Sequence, residues 1–423
     1  MSEFMEVAIG TQLKLTSGFP FASSNFSNEG FPLIRIRDVL TSQTETYYQG
    51  LFLPGYIIKK GDILVGMDGE FHVARWRGVD ALLNQRVLKV EVQNESLVVL
   101  DFLFHWLGPF IKKVNDITAA TTVKHLSTKD LTKAKAFFPE VKAQKKIAAI
   151  LTATDTAIEK TEALISKYQQ IKAGLMHDLF TRGVLPNGKL RPTREQAPEH
   201  YQETAIGWVP REWSVSMLGT MAKIVSGVTL SAKEPPSGTI DAPYLRVANV
   251  QDGYLDLADI KTVRVSRKTL EHLRLQPGDV LMNEGGDFDK LGRGTVWAGE
   301  IDDCIHQNHV FRVRTDANVL LPRYLAYYSE SSFGKKYFLL SSKQSTNLAS
   351  INSTQLNAYP IAFPSICEQD EIVLRLSGVN QRIKAMKAEA SKLRCQKLGL
   401  MQDLLTGKVP VKVDTPNREA ARA

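Results

Sequence analysis

The feature that most constrains this chain is that it contains the same pattern twice. Ile9-Gly-Thr-Gln-Leu-Lys-Leu-Thr-Ser-Gly18 is matched by Leu218-Gly-Thr-Met-Ala-Lys-Ile-Val-Ser-Gly227, 209 residues later. Pro32-Leu-Ile-Arg-Ile36 is matched by Pro243-Tyr-Leu-Arg-Val247, and Gly61-Asp-Ile-Leu64 by Gly278-Asp-Val-Leu281, at offsets of 211 and 217. Val87-Leu-Lys-Val90 pairs with Val310-Phe-Arg-Val313 at 223, and Leu131 and Pro139 with Leu356 and Pro364 at 225. The offset only grows, as loop insertions into a duplicated unit require. From Pro139 it stays at 225 through Gly174-Leu-Met-His-Asp-Leu-Phe-Thr181 and Gly399-Leu-Met-Gln-Asp-Leu-Leu-Thr406. A stretch that tolerates no insertion is continuous regular structure, because one added residue turns every later side chain off its face.

That stretch reads as a helix in each copy. Between Lys142 and Phe180 there is no proline and only one glycine, Gly174. Apolar or small residues recur at steps of four and three: Ile147, Leu151, Thr154, Ile158, Thr161, Ile165, Tyr168, then Leu175 and Leu179. The second copy repeats the seam with Ile372, Leu376, Val379, Ile383, Met386, Ala390, Leu393, Leu400 and Leu404. Lys172 and Lys397 interrupt the two seams at the same place. This is a coiled-coil repeat, on helices roughly 58 Å long at 1.5 Å per residue. A small domain cannot cover such a stripe, so the two stripes are expected to pair, antiparallel, each helix following its own domain.

The globular segments mix short β-branched runs with helical ones, which makes each an α+β unit. Leu33–Ile36, Ile63–Val65, Val87–Val90, Leu245–Val247, Lys261–Val265 and Val310–Val313 read as strands. Leu100–Leu107 and Pro322–Tyr328 read as helices. The expected division is 1–140, first globular domain; 141–182, central helix; 183–206, linker; 207–365, second globular domain; 366–408, distal helix; 409–423, flexible tail. Trp208-Val-Pro-Arg-Glu-Trp213 reads as the anchor that leads into the second domain.

Charge permits a polyanionic partner without requiring one: 53 Lys+Arg face 45 Asp+Glu, a net +8 spread along the chain. The three cysteines, Cys304, Cys367 and Cys395, contain no CxxC pair, so neither a disulfide framework nor a zinc site is expected. The start, Met1-Ser-Glu-Phe-Met-Glu-Val, has no signal-peptide pattern, and no run of about eighteen apolar residues suggests a membrane span. A cytoplasmic location without membrane contact is the expectation.

Two polar, glycine-bearing loops are candidate nucleic-acid surfaces: Gly66–Gly78 and Asn283–Gly294. Arg75, Arg77, Lys290 and Arg293 have the chemistry to clamp phosphates or read guanine, and Asn283 to read adenine. Thr121–His125 with Lys124, and Lys343–Asn347 with Lys343 and Gln344, form a second candidate surface in each copy. Arg35 and Arg246, in the matched Pro-x-Leu/Ile-Arg motifs, complete the DNA-binding candidates. No catalytic constellation assembles. There is no P-loop, HExxH, GxSxG or amino-methyltransferase motif, and Asp68/Glu70 and Asp287/Asp289 lack the acid-x-Lys element of common nucleases.

The order of parts resembles the specificity subunit of type I restriction–modification enzymes. Gly61-Asp-Ile-Leu-Val-Gly-Met-Asp-Gly-Glu-Phe71 and the helical segments 143–183 and 368–408 carry most of that resemblance. It implies two tandem pseudo-symmetric target-recognition domains joined by two long antiparallel coiled-coil helices, reading a bipartite, asymmetric site in double-stranded DNA. It further implies an inert subunit docking two methylase subunits and restriction/translocase subunits. S-adenosylmethionine, ATP and Mg would serve those partners, with no cofactor or metal on this chain. Two other readings stay open on the residues alone: a stand-alone nuclease built on the paired carboxylates, and a scaffold that binds only proteins.

Overall fold

The computed structural model describes residues 4–118, 124–230, 238–286, 291–292, 294–344 and 349–412. The chain forms two compact units, one of residues 1–162 with 388–423, the other of residues 163–387. This differs from a division in simple linear order. Each long helix is shared, its first half with its own globular domain and its second half with the other one. The expected tail falls outside the described residues from Val413 onward.

Each unit is built on the same four-stranded antiparallel sheet. In the first the order is Leu13–Ser17, Val87–Val92, Ile63–Gly66, His72–Arg75. In the second it is Ala222–Ser226, Val310–Thr315, Val280–Asn283, Gly294–Val296. A short antiparallel pair ties the start of each globular domain to the strand before its long helix: Met5–Ala8 with Lys135–Phe138, and Ser214–Met217 with Pro360–Phe363. A parallel pairing is also duplicated, Leu33–Ile34 beside Leu82–Leu83 and Tyr244–Leu245 beside Ile305–His306. The expected strands at Leu33–Ile36 and Leu245–Val247 stop early, for one reason. The Arg35 N–H donates to Asp38 Oδ2 and the Arg246 N–H to Asn249 Oδ1, each at 2.9 Å, and the chain turns into a 3-10 helix.

The matched Ser-Gly pairs have a steric cause. A Cβ on Gly18 would lie 1.9 Å from Asn84 O, and one on Gly227 would lie 1.9 Å from His306 O. Only glycine lets these two backbones pass.

The central helix spans Val141–Thr181 and the distal helix Ile366–Leu404. The seam residues form the protected face of each. Ile147, Leu151, Ile158, Leu179, Ile372, Leu376, Ile383 and Leu404 are buried; Ile165, Tyr168, Leu175, Val379, Met386, Leu393 and Leu400 are half-buried. In the first unit the helix segments run antiparallel: Asp155 bonds Lys397 at 2.6 Å, and Glu162, further along, bonds Arg394. The ends of the stripes are hidden differently from expectation. Ile147 and Leu151 share a core with Phe102, Leu107 and Phe138 of the globular domain as well as Leu404. Ile372 and Leu376 do so with Tyr324, Tyr328 and Phe180. The seam-breaking lysines are charge-paired inside their own units, Lys397 with Asp155 and Lys172 with Glu330 at 2.5 Å.

A buried glutamine fixes the start of each helix. Gln144 Oε1 accepts from the Val99 N–H at 2.8 Å, while its Nε2 donates to Leu97 O and Pro139 O at 2.8 and 2.9 Å. Gln369 makes the same three bonds, to Leu321 N, Val319 O and Pro364 O, each 2.9 Å.

Further along, the copies diverge chemically. His105 Nε2 lies 3.0 Å from Thr152 Oγ1, with Asp155 3.8 Å from its Nδ1. At the matching place Tyr327 OH meets Ser377 Oγ at 3.2 Å and accepts from Asn380 at 3.1 Å. Burial pushes the His105 imidazole down to about 4, with Asp155 and Asp101 opposing and Lys397 and Arg75 adding to the shift. Burial does the same to His306, also to about 4; its Nδ1 donates to Val310 O at 2.6 Å. The unfolded chain therefore takes up these protons first as pH falls. Stability is full above about 6.5 and is lost as pH drops toward 4. Between pH 7.5 and 5 each histidine is expected to remove about 2 kcal/mol. His105→Tyr, which installs the second copy's chemistry, should abolish the share of the first unit. Urea midpoints of both proteins at the two pH values measure it; an equal acid loss in the variant refutes it.

Candidate nucleic-acid interface

Of the arginines singled out in the sequence, Arg75, Arg77 and Arg246 are ion-paired within their own unit. His72–Arg75 is a strand rather than loop, paired with Ile63–Gly66, and Trp76 after it is buried. Arg75 Nη2 bonds Asp101 Oδ1 at 2.6 Å, and its guanidinium lies over the Phe104 ring, 5.0 Å from the centroid. That contact fastens the strand to the helix Leu100–Ile117. Arg77 bonds Glu159 of the central helix. Arg246 Nη2 donates to Asp259 through both its carbonyl and its carboxylate, each at 2.8 Å. The Nε atoms of Arg35 and Arg246 are both buried without a partner among the described residues, a duplicated arrangement. Lys124 Nζ donates to Asn115 O at 2.6 Å.

Asn283 is a correction. Its side chain is 1% exposed and its Nδ2 donates to Val250 O at 3.0 Å, so it braces the end of a central strand and is not open to a base. A polar side chain next to a glycine-rich run looks like a loop residue in sequence, but the strand partner Val310 places it inside. Lys290 and Arg293 lie outside the described residues, as do Asp287 and Asp289. Lys343 and Gln344 form a two-residue strand beside Ala349–Ser350.

What the structure does bring together is the two candidate surfaces of each copy. In the first unit the Gly69 N–H donates to Lys124 O at 3.0 Å, and Asp68 Oδ1 meets His125 Nδ1 at 2.6 Å. In the second, Gly285–Gly286 pairs with Ala349–Ser350, which pairs with Lys343–Gln344. Asp68 also faces Arg86, with Nε 3.3 Å from Oδ2. The Asp68 carboxylate is thus engaged on both oxygens, by the Arg86 guanidinium and by the His125 ring. No cluster of three or more His, Cys, Asp or Glu side chains with metal-site geometry exists among the described residues. No described helix is long and apolar enough to cross a membrane.

Glu368 and Arg191 were not singled out in the sequence. The segment after the central helix is locked by Glu368, whose carboxylate receives Arg191 Nη1 and Nη2 at 2.5 and 2.9 Å, the Val184 N–H at 2.8 Å and the Trp213 indole at 3.2 Å. Trp213 is thereby buried, as its anchoring role requires, while Trp208 is exposed under the Arg194 guanidinium.

The family model for the type I restriction modification DNA specificity domain matches twice, at residues 1–167 and 210–394. The chain belongs to that family. Its two matches coincide with the two halves of the internal repeat, and the family's members recognise DNA and are not themselves catalysts. Among relatives, the EcoBI specificity subunit of Escherichia coli is 28% identical over 412 residues, 95% of this chain and 84% of that one. The MjaVIII specificity subunit of Methanocaldococcus jannaschii is 25% identical over 360 residues, 84% and 81% of the two chains. A crystal structure of the type I restriction-modification S subunit from M. genitalium matches with a TM-score of 0.58 at 15% identity, over 95% of this chain and 96% of that one. At that identity the likeness is one of fold.

Proposed function

We propose that this chain is the DNA-recognition subunit of a type I restriction–modification complex. Each unit reads one half of a bipartite, asymmetric site in double-stranded DNA. The observation that carries this reading is the duplicated sheet with unlike polar edges. Two readers with one frame and different side chains suit two different half-sites, as dimeric readers suit two equal ones. The paired long helices serve as a coiled-coil spacer that sets the gap. The chain recruits two methylase subunits and the restriction subunits, which bring S-adenosylmethionine, ATP and Mg. The internal contacts of Arg75, Arg246 and Lys124 move base contacts away from them, and leave Arg35, Arg77, Lys290, Arg293, Lys343 and Gln344 as contact candidates.

The experiment is methylation mapping of genomic DNA from cells that express the chain with its methylase. The expected result is modified adenines in a two-part motif with an unspecified gap. Unmodified DNA in the presence of active methylase, or a continuous symmetric motif, refutes it.

A further inference from the structure

In each unit one short turn leads into the central strand of the main sheet. Asn84-Gln85-Arg86 precedes Val87–Val92, and Gln307-Asn308-His309 precedes Val310–Thr315, at the 223 offset of the repeat. The composition repeats as well: two carboxamides, then a cationic or imidazole group. These are the side chains that pair with base edges, the amides with adenine and the guanidinium with guanine.

The main chain of both turns is pinned by the same bonds. The Phe19 N–H donates to Leu83 O at 2.9 Å and the Gln85 N–H to Phe19 O at 3.0 Å. In the second unit the Val228 N–H donates to His306 O at 2.8 Å and the Asn308 N–H to Val228 O at 2.9 Å. Gly18 and Gly227 are the residues that let the neighbouring strand come this close. Asn84 turns inward, its Oδ1 accepting from the Gln85 N–H at 2.9 Å, which leaves Gln85 and Arg86 outside.

The third residue of each turn is aimed by a carboxylate. Arg86 Nε lies 3.3 Å from Asp68 Oδ2, and His309 Nδ1 lies 2.5 Å from Glu284 Oε2. Yet the Arg86 side chain stays 55% exposed and that of His309 56%. Arg86 also holds a left-handed φ of 73°, where glycine would be strain-free. Strain kept at an exposed side chain points to a use for that side chain. Both turns adjoin the polar loops described above, through Asp68 in one unit and Glu284 in the other.

We infer that these turns are the base-reading edges of the two units. Gln85 and Arg86 read one half-site; Gln307, Asn308 and His309 read the other. The inference rests on the proposed function and names the residues that carry it out. Arg86 and His309 are specificity residues; Asp68 and Glu284 position them.

The test uses the full chain assembled with its methylase. Arg86→Gly, Gln85→Ala, His309→Ala and Gln307→Ala are each mapped for their methylated motif. Each is also measured for binding to the cognate duplex and to single-base variants. Arg86→Gly removes the backbone strain with the side chain, so a melting temperature at or above that of the parent excludes misfolding as the cause. The expected result is a degenerate position in one half-site only, with at least a tenfold loss of preference for the cognate base there. Motifs unchanged, with preferences within twofold, overturn the inference while leaving the function intact. Relaxation of both half-sites by one substitution also overturns it. A parent complex without a two-part motif overturns the function and the inference together.

Discussion

Replacing Gln369 with leucine is expected to cost about 4 kcal/mol. The side chain is fully buried and makes three bonds, all to main-chain groups: Leu321 N, Val319 O and Pro364 O. A leucine fills similar volume but leaves one buried donor and two acceptors unanswered. Each orphan costs on the order of 1–3 kcal/mol. Gln369→Glu separates hydrogen bonding from packing. Its carboxylate still accepts from Leu321 N, but two carbonyl oxygens face it where an amide donated. Only the protonated acid restores one of those bonds, so this variant should regain stability as pH falls, opposite to the parent. Urea unfolding at pH 7.5 and 5 reads both variants. A loss below 1 kcal/mol for the leucine variant would show that the clamp is dispensable. Gln144→Leu should act alike in the first unit.

Arg191→Met is expected to destabilise the second unit by about 3–5 kcal/mol. The Arg191 side chain is 3% exposed and its partner Glu368 11%. Removing the cation strands a carboxylate that the Val184 N–H and Trp213 indole cannot neutralise. The repeat itself supplies the control. At the same 225 offset the first unit has Ala143, fully buried, where the second has Glu368. The double substitution Arg191→Met with Glu368→Ala removes both charges and should therefore be less damaging than Arg191→Met alone. Limited proteolysis between residues 183 and 206, alongside urea melts, measures the release of this segment. A single variant as resistant as the parent refutes the lock.

The outline of the fold was legible because duplication turns weak patterns into an ordered series, and because a heptad seam survives any local packing. The division into units was not, since sharing of the long helices depends on which residues each half meets. Polar residues misled in both directions. Asn283 looked available and is interior; Gln144 and Gln369 drew no notice in the sequence and are almost completely buried. Their kinship was nonetheless readable, as one amide kept at a constant offset amid changing neighbours. The same holds for Asn84–Arg86 and Gln307–His309, which directly precede a matched strand. Arg75, Arg77 and Arg246 were selected for charge, and charge alone does not tell a free cation from one holding Asp101, Glu159 or Asp259.

The crossing at Gly18 and Gly227 carries a consequence for how such a chain changes over generations. The hydrogen bonds that shape the two turns run mainly through main-chain atoms, joined by the inward Asn84 carboxamide in one and the Ser226 hydroxyl, which donates to Asn308 O at 2.9 Å, in the other. Gln85, Arg86 and His309 are exposed and add little to the stability of the frame. A lineage can therefore reletter Gln85 and His309 one mutation at a time with little cost to folding, whereas Arg86 accepts only residues that tolerate its left-handed φ. The glycines, by contrast, leave no such freedom: the part of the chain that stays silent in any binding assay is the part that heredity has to keep.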